Sequence, residues 1–193
     1  THRAIDHALH ACRKVLPAEV RVVKIGPSIR SGGGFECYES HAESGLADST
    51  APHVIGATAF ALWSPYTGLR ESMFDTVVTD EASQVRVMVA AMAMLHGEKW
   101  LFFGDDCQLP PVMLEVDAGG ARERSIFRLL KNRGFDTMLE ETWRLNAELA
   151  EWPSATFYRN RLVSRHDRRL MLSPPSDHPA LTSDASAVLV LCG

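Results

Sequence analysis

Short apolar runs, each closed by polar residues or glycine, indicate that strands and helices alternate along this chain. Residues 76–79 are β-branched throughout and are bounded by polar residues, which is typical of a buried strand. A second apolar run, residues 100–103, is closed by Gly104. The stretch between them, residues 84–95, is rich in Val, Met and Ala and predicts a helix. The order strand–helix–strand therefore predicts a pair of parallel strands and an α/β fold.

The remaining pattern predicts further strands and helices around this unit. We expect helices over residues 1–16 and 125–134, and strands over residues 20–25, 53–58 and 187–192, with another starting at 137–139. Residues 28–52 are rich in Gly, Ser and acidic side chains and predict a loop. We expect Trp152, Phe157 and Tyr158 to be core residues, and the arginines of residues 159–169 to form a solvated face.

Composition sets limits on the class of protein. The chain has 193 residues, of which 46% are hydrophobic and 23% charged, which is ordinary for a globular protein. No apolar run approaches the ~20 residues of a membrane helix, so we expect no membrane partner. The four cysteines are widely spaced and favour neither a zinc site nor a disulfide framework. We therefore expect a reducing compartment, the cytoplasm or the nucleus. A net charge of −4 gives no overall nucleic-acid signature.

Two adjacent carboxylates, Asp80 and Glu81, follow the strand at residues 76–79. Open α/β sheets bind their ligands at the carboxyl ends of the strands. Phosphoryl transfer needs one acid that holds Mg²⁺ and another group that orients the attacking water, and this pair supplies both. The alternative is an ordinary solvated strand end, which an isolated Asp-Glu pair does not distinguish.

A second motif follows the neighbouring strand, with the sequence GDDCQLPPV from Gly104 to Val112. Together with the DEASQ sequence that begins at Asp80, it resembles the superfamily 1 helicases of the Upf-like and RecD-like branch. The resemblance implies a RecA-like P-loop NTPase sheet with flanking helices. It also implies that DEAS is the Walker B motif and that the second motif senses the γ-phosphate of ATP.

The resemblance also implies roles for individual residues. Asp80 would hold Mg²⁺, Glu81 would be the base that positions water, and Gln108 would report the γ-phosphate to the nucleic-acid side. Asp105 would belong to the nucleotide-binding residues and is the next candidate for the base. Further along, TWRLN resembles a segment that begins the second RecA-like domain. The aromatic residue at Trp143 would stack on adenine, and Arg144 would neutralise charge in the transition state.

Thr58 resembles a threonine that lies beside the bound nucleic-acid backbone, where its hydroxyl could contact a phosphate. A threonine that caps the next helical turn is an equal alternative.

The sequence contains no GxxxxGK[ST] phosphate loop. The resemblance therefore implies an incomplete motor, with residues 1–134 as part of the first RecA-like domain and 135–193 as the start of the second. We expect ATP and Mg²⁺ as cofactors, with single-stranded DNA or RNA and the remainder of the helicase chain as partners. The intact protein would be an ATP-dependent helicase or translocase, and this chain alone is expected to be inactive. The alternatives are a non-catalytic nucleic-acid- or protein-binding module and a different P-loop ATPase.

Overall fold

The computed structural model describes residues 2–26, 34–109, 111, 125–131 and 133–166. The chain divides into two compact units, Thr1–Arg133 and Gly134–Gly193. The first unit contains α1 His2–Val15, β1 Arg21–Ile25, β2 Glu36–Tyr38, α2 His41–Ser44, β3 His53–Gly56, α3 Ala59–Trp63, β4 Phe74–Thr79, a 3₁₀ turn Ala82–Gln84, α4 Val87–Met94, β5 Gly97–Phe102 and α5 Ile126–Leu130. The second contains β6 Glu141–Asn146, α6 Ala147–Phe157 and β7 Val163–His166.

The first sheet of the larger unit has the order β2-β1-β3, with all strands parallel. Its core contains Val23 and Ile25 of β1, packed with Leu46 and Leu69. Helix α1 approaches β3 closely, because a Cβ at Gly56 would lie only 2.7 Å from side-chain atoms of α1. Glycine at this position is therefore what allows α1 to pack against the sheet.

The second sheet pairs β4 with β5 in parallel, and α4 connects the two strands. Ala82, Ala90 and Ile126 form a small core beneath it, against which Phe102 and Phe127 pack. The predicted strand–helix–strand unit is therefore confirmed, and the mixed α/β class with it. The prediction that residues 76–79 form a buried strand is wrong, because no residue of β4 is buried and Val78 is 58% exposed. Because parallel strands end at the same edge of a sheet, the segments after β4 and β5 emerge side by side.

In the smaller unit, β6 and β7 are parallel and α6 connects them. Asn146 caps α6, since its side-chain oxygen accepts a hydrogen bond from the Leu149 backbone N–H at 2.9 Å. The hydroxyl of Ser154 links α6 to the chain entering β7. It donates to the Leu162 carbonyl at 2.9 Å and accepts from the Leu162 N–H at 3.1 Å.

Several details of the sequence prediction were wrong. Residues 28–52 contain β2 and α2, because strand β2 pairs with β1 and Ser40 caps α2. The helix predicted over residues 84–95 begins later, at Val87, after a separate 3₁₀ turn. Residues 137–139 form no strand, and β6 begins at Glu141. Trp152 is 67% exposed and Phe157 is 45% exposed, so neither is a core residue.

The strand predicted over residues 187–192 lies outside the described residues. Among the helices that the structure does describe, none has the length and apolar character needed to cross a bilayer.

Candidate functional site

The chain turns sharply at the end of β4, where the two predicted acids lie. Glu81 adopts the left-handed conformation with φ 53°, and the 3₁₀ turn Ala82–Gln84 follows directly. The Asp80 carboxylate accepts a hydrogen bond from the Glu81 backbone N–H at 2.9 Å. Both side chains are exposed. A left-handed conformation is uncommon for a non-glycine residue, and such strain is concentrated at functional sites.

The segment after β5 is organised by Asp105. One oxygen of its carboxylate accepts from the Cys107 backbone N–H at 3.0 Å, and the other accepts from the Gln108 side-chain amide at 2.9 Å. The Gln108 backbone N–H also donates to the Asp105 carbonyl at 3.2 Å. Asp105 and Gln108 are therefore held together as a single hydrogen-bonded unit.

Backbone contacts join the two strand ends. The Phe103 N–H donates to the Thr79 carbonyl at 2.9 Å, and the Ala82 N–H donates to the Phe103 carbonyl at 2.7 Å. Gly104 lies against the turn after Glu81, because a Cβ there would be 2.8 Å from the Ser83 nitrogen. The structure therefore brings Asp80–Glu81 and Asp105–Gln108 to one edge of the β4–β5 sheet.

Lys131 lies beside the segment after β5 and was not predicted from the sequence as a residue of this site. It follows α5, and its ammonium contacts the Asp106 carboxylate at 2.5 Å. Its only signal in the sequence is its place at the end of an amphipathic helix, and the packing of that helix brings it beside Asp106. Burial raises the pKa of the Cys107 thiol, and the carboxylates of Asp106 and Asp105 raise it further, while Lys131 opposes them.

The donor atoms of Asp105, Asp106 and Cys107 lie within 4.8 Å of one another, the spacing of a possible cation site. Both carboxylates already have partners, because Asp106 is paired with Lys131 and Asp105 accepts hydrogen bonds from Cys107 and Gln108. Magnesium prefers oxygen ligands and a thiol is a poor one. The donor set at Asp80 therefore fits Mg²⁺ better than this cluster does.

Thr58 lies at the end of β3, in the other sheet of the first unit. Its side-chain oxygen accepts a hydrogen bond from the Ala61 N–H at 3.1 Å and caps α3. The capping interpretation therefore describes what this oxygen does in the structure, and a phosphate contact through the hydroxyl hydrogen stays a prediction.

Trp143 and Arg144 lie in the second unit, on β6. Trp143 is 71% exposed, so its ring is available for stacking. Arg144 is also exposed, and its backbone N–H donates to the Thr142 hydroxyl at 3.3 Å. The roles assigned to these two residues stay predictions.

Comparison with known proteins supports the resemblance. Residues 50–116, which include β4, β5 and both strand ends, match the family model described as an AAA domain. The chain is 34% identical over 91 residues to an uncharacterized ATP-dependent helicase of Methanocaldococcus jannaschii, an alignment that covers 46% of this chain and 13% of that protein. It is 25% identical over 172 residues to the DNA replication ATP-dependent helicase/nuclease DNA2 of Saccharomyces cerevisiae, covering 84% of this chain and 11% of that protein.

A third relative is the regulator of nonsense transcripts 1 homolog of Drosophila melanogaster. It is 34% identical over 112 residues, which is 55% of this chain and 10% of that protein. The chain thus spans 10% to 13% of the length of these three relatives. Residues 50–116 therefore match the AAA domain, and the chain is similar to short parts of proteins that are named as ATP-dependent helicases.

Proposed function

We propose that this chain forms part of an ATP-dependent motor that moves on single-stranded DNA or RNA, with the edge of the β4–β5 sheet as its hydrolytic site. One observation carries the proposal. Two segments with the residue types needed for phosphoryl transfer, Asp80–Glu81 and Asp105–Gln108, lie side by side at the carboxyl ends of parallel strands. Ordinary solvated strand ends do not require the backbone hydrogen bonds that join these two segments through Phe103.

Asp80 is the residue we assign to Mg²⁺. Only one of its carboxylate oxygens accepts the Glu81 N–H, so the other is available among the described residues. Asp80 would hold Mg²⁺, which would supply positive charge next to the phosphates of the nucleotide. The part played by the protein is to hold this carboxylate in a fixed direction, which the hydrogen bond to the next residue does.

Glu81 is the residue we assign to the attacking water. Its backbone is left-handed, its side chain is exposed, and its carboxylate makes no hydrogen bond to another described residue. An unengaged carboxylate can accept a proton from water as a general base, provided that water lies within hydrogen-bonding distance. The strained backbone is consistent with this role, because an αL turn is retained where its geometry is useful.

Gln108 is the residue we assign to coupling between nucleotide and nucleic acid. Its side-chain amide is bound to Asp105, so a change at either residue moves the other. Trp143 would stack on adenine, Arg144 would stabilise transition-state charge, and Thr58 would contact a nucleic-acid phosphate. Because these 193 residues contain no phosphate loop, we propose that the chain alone hydrolyses little ATP.

Substitution of Glu81 by Gln in the full-length protein tests the proposal. The change keeps the shape and removes the base, so hydrolysis should fall by about 10²–10⁴-fold. Affinity for ATP should survive, because the lost interaction is made mainly in the transition state. Asp80→Asn should instead raise the Mg²⁺ concentration needed for half-maximal hydrolysis, because an amide binds Mg²⁺ more weakly than a carboxylate does. The matched control is Glu98→Gln, which changes an exposed carboxylate near the opposite end of the same sheet.

Normal turnover in Glu81→Gln, equal to that of Glu98→Gln, would show that Glu81 is a solvated strand end. The base would then have to be sought at Asp105. Absence of nucleic-acid-stimulated turnover in the unmodified full-length protein would instead favour the non-catalytic binding module.

A further inference from the structure

Helix α1 carries an exposed row of basic and imidazole side chains that the hydrolytic site does not use. Arg3, His7, His10 and Lys14 are all exposed. At 3.6 residues per turn these positions fall within about 60° of the helix circumference. They lie about 100–160° around the helix from Leu9, which is buried. We call these four residues the basic stripe.

The other charged side chains of α1 are engaged elsewhere. Asp6, the one acidic residue of the helix, pairs with the buried ammonium of Lys24 in β1. The guanidinium of Arg13 donates to the carbonyls of Val20, Leu16 and Pro17, which follow the helix. In contrast, no side chain of the basic stripe has a hydrogen bond or ion pair to another described residue. Among the described residues, the side chains of the stripe are therefore open to an external partner, and the one acid nearby, Asp6, is already paired with Lys24.

We propose that the basic stripe is a second nucleic-acid contact surface, which binds the phosphate backbone without reading sequence. The stripe extends over 11 residue steps of a helix, or about 16 Å at 1.5 Å per residue, which is long enough to follow several phosphates of one strand. Arg3 and Lys14 supply the charges at its two ends, and the ring N–H groups of His7 and His10 supply hydrogen-bond donors between them. The choice of nucleic acid as the partner rests on the proposed function.

The composition of the exposed surface favours nucleic acid over a lipid membrane. Helices that lie on membranes insert bulky apolar side chains such as Trp, Phe or Leu. The exposed positions of α1 offer Ala8, Ala11 and Val15 and none of those bulky residues. A phosphate backbone needs only charge and hydrogen-bond donors, which the basic stripe provides.

Salt-dependent binding of a labelled oligothymidylate to the full-length protein, without nucleotide, tests the proposal. Each phosphate contact to a single strand contributes about −0.7 to the slope of log K against log salt. Arg3→Glu/Lys14→Glu should therefore make the slope shallower by about 1.4. The control Lys99→Glu/Arg128→Glu changes net charge equally, at exposed positions outside α1, and should keep the wild-type slope. If charge reversal unfolds the helix, the milder Arg3→Gln/Lys14→Gln should still make the slope shallower.

An equal slope for the stripe variants and the wild type would overturn the proposal, as would an equal loss in the control. The assignment to nucleic acid would be overturned if the protein also bound vesicles of phosphatidylserine and this binding depended equally on Arg3 and Lys14. Measurement of Glu81→Gln alongside separates the two proposals. Normal hydrolysis in that variant with a shallower slope in the stripe variants means that only the proposed function fails. Loss of hydrolysis with unchanged slopes means that only the stripe fails.

Discussion

Substitution of Gly104 by alanine adds one methyl group and tests the contact between the ends of β4 and β5. A Cβ at this residue would lie 2.8 Å from the Ser83 nitrogen and 3.2 Å from the Ala82 nitrogen. Ordinary contacts of this kind need about 3.5 Å or more. The atoms that would have to move are backbone, and the Ala82 N–H is hydrogen-bonded to the Phe103 carbonyl at 2.7 Å. Gly104→Ala must therefore push the turn after Glu81 away from β5.

The expected loss of stability follows from two opposing terms. Overpacking costs about 1–3 kcal/mol. Replacing glycine by alanine recovers about 0.4–1 kcal/mol, because the unfolded chain becomes less flexible. The free energy of unfolding should thus fall by roughly 1–2 kcal/mol, as the difference of these two terms. At a urea m-value of about 2 kcal/mol/M, the midpoint should fall by about 0.5–1 M.

The assay is urea unfolding followed by circular dichroism, with ATP turnover measured on the full-length protein. Gly104→Ala should lower both the urea midpoint and the rate of ATP turnover, because it separates Asp80–Glu81 from Asp105–Gln108. The control is Gly56→Ala, for which the three atoms nearest to the added Cβ would be side-chain atoms of Ile5 and Leu9. This control should lower stability without a matching loss of turnover. A wild-type midpoint and normal turnover in Gly104→Ala would refute the inference that backbone contact at this glycine organises the site.

Two further predictions concern His41 and the αL backbone of Glu81. Burial lowers the pKa of His41 in the folded state, and nearby His53 lowers it further, whereas Asp48 raises it. Below about pH 6.5 the unfolded chain therefore binds more protons than the folded chain does. The urea midpoint should therefore fall as pH drops from 7 towards 5, and His41→Gln should flatten this dependence; an equally steep fall would contradict the assignment. At position 81, glycine adopts φ 53° without the steric cost that alanine has there. Glu81→Gly should therefore be more stable than Glu81→Ala by about 1 kcal/mol in urea unfolding. Equal urea midpoints for the two variants would argue against a left-handed residue at this position.

The sequence by itself determined the elements around the site. Period and composition placed β4, α4 and β5 to within a few residues, because a β-branched run and an apolar helix have local signals. The adjacent carboxylates of Asp80 and Glu81, and the segment from Asp105 to Gln108, were visible as residue types after those strands. Their proximity followed from one rule, that parallel strands joined by a helix end at the same edge of a sheet.

Other features were decided only by tertiary structure. Strand β2 is three residues long and has no pattern of its own, so only its pairing with β1 defines it. The engagement of Thr58 as a helix cap depends on where α3 begins. The pairing of Lys131 with Asp106 depends on how α5 packs, because the two residues are 25 positions apart. Local sequence determines which groups are available, whereas contacts between distant segments determine which of them are already paired and which can bind a ligand.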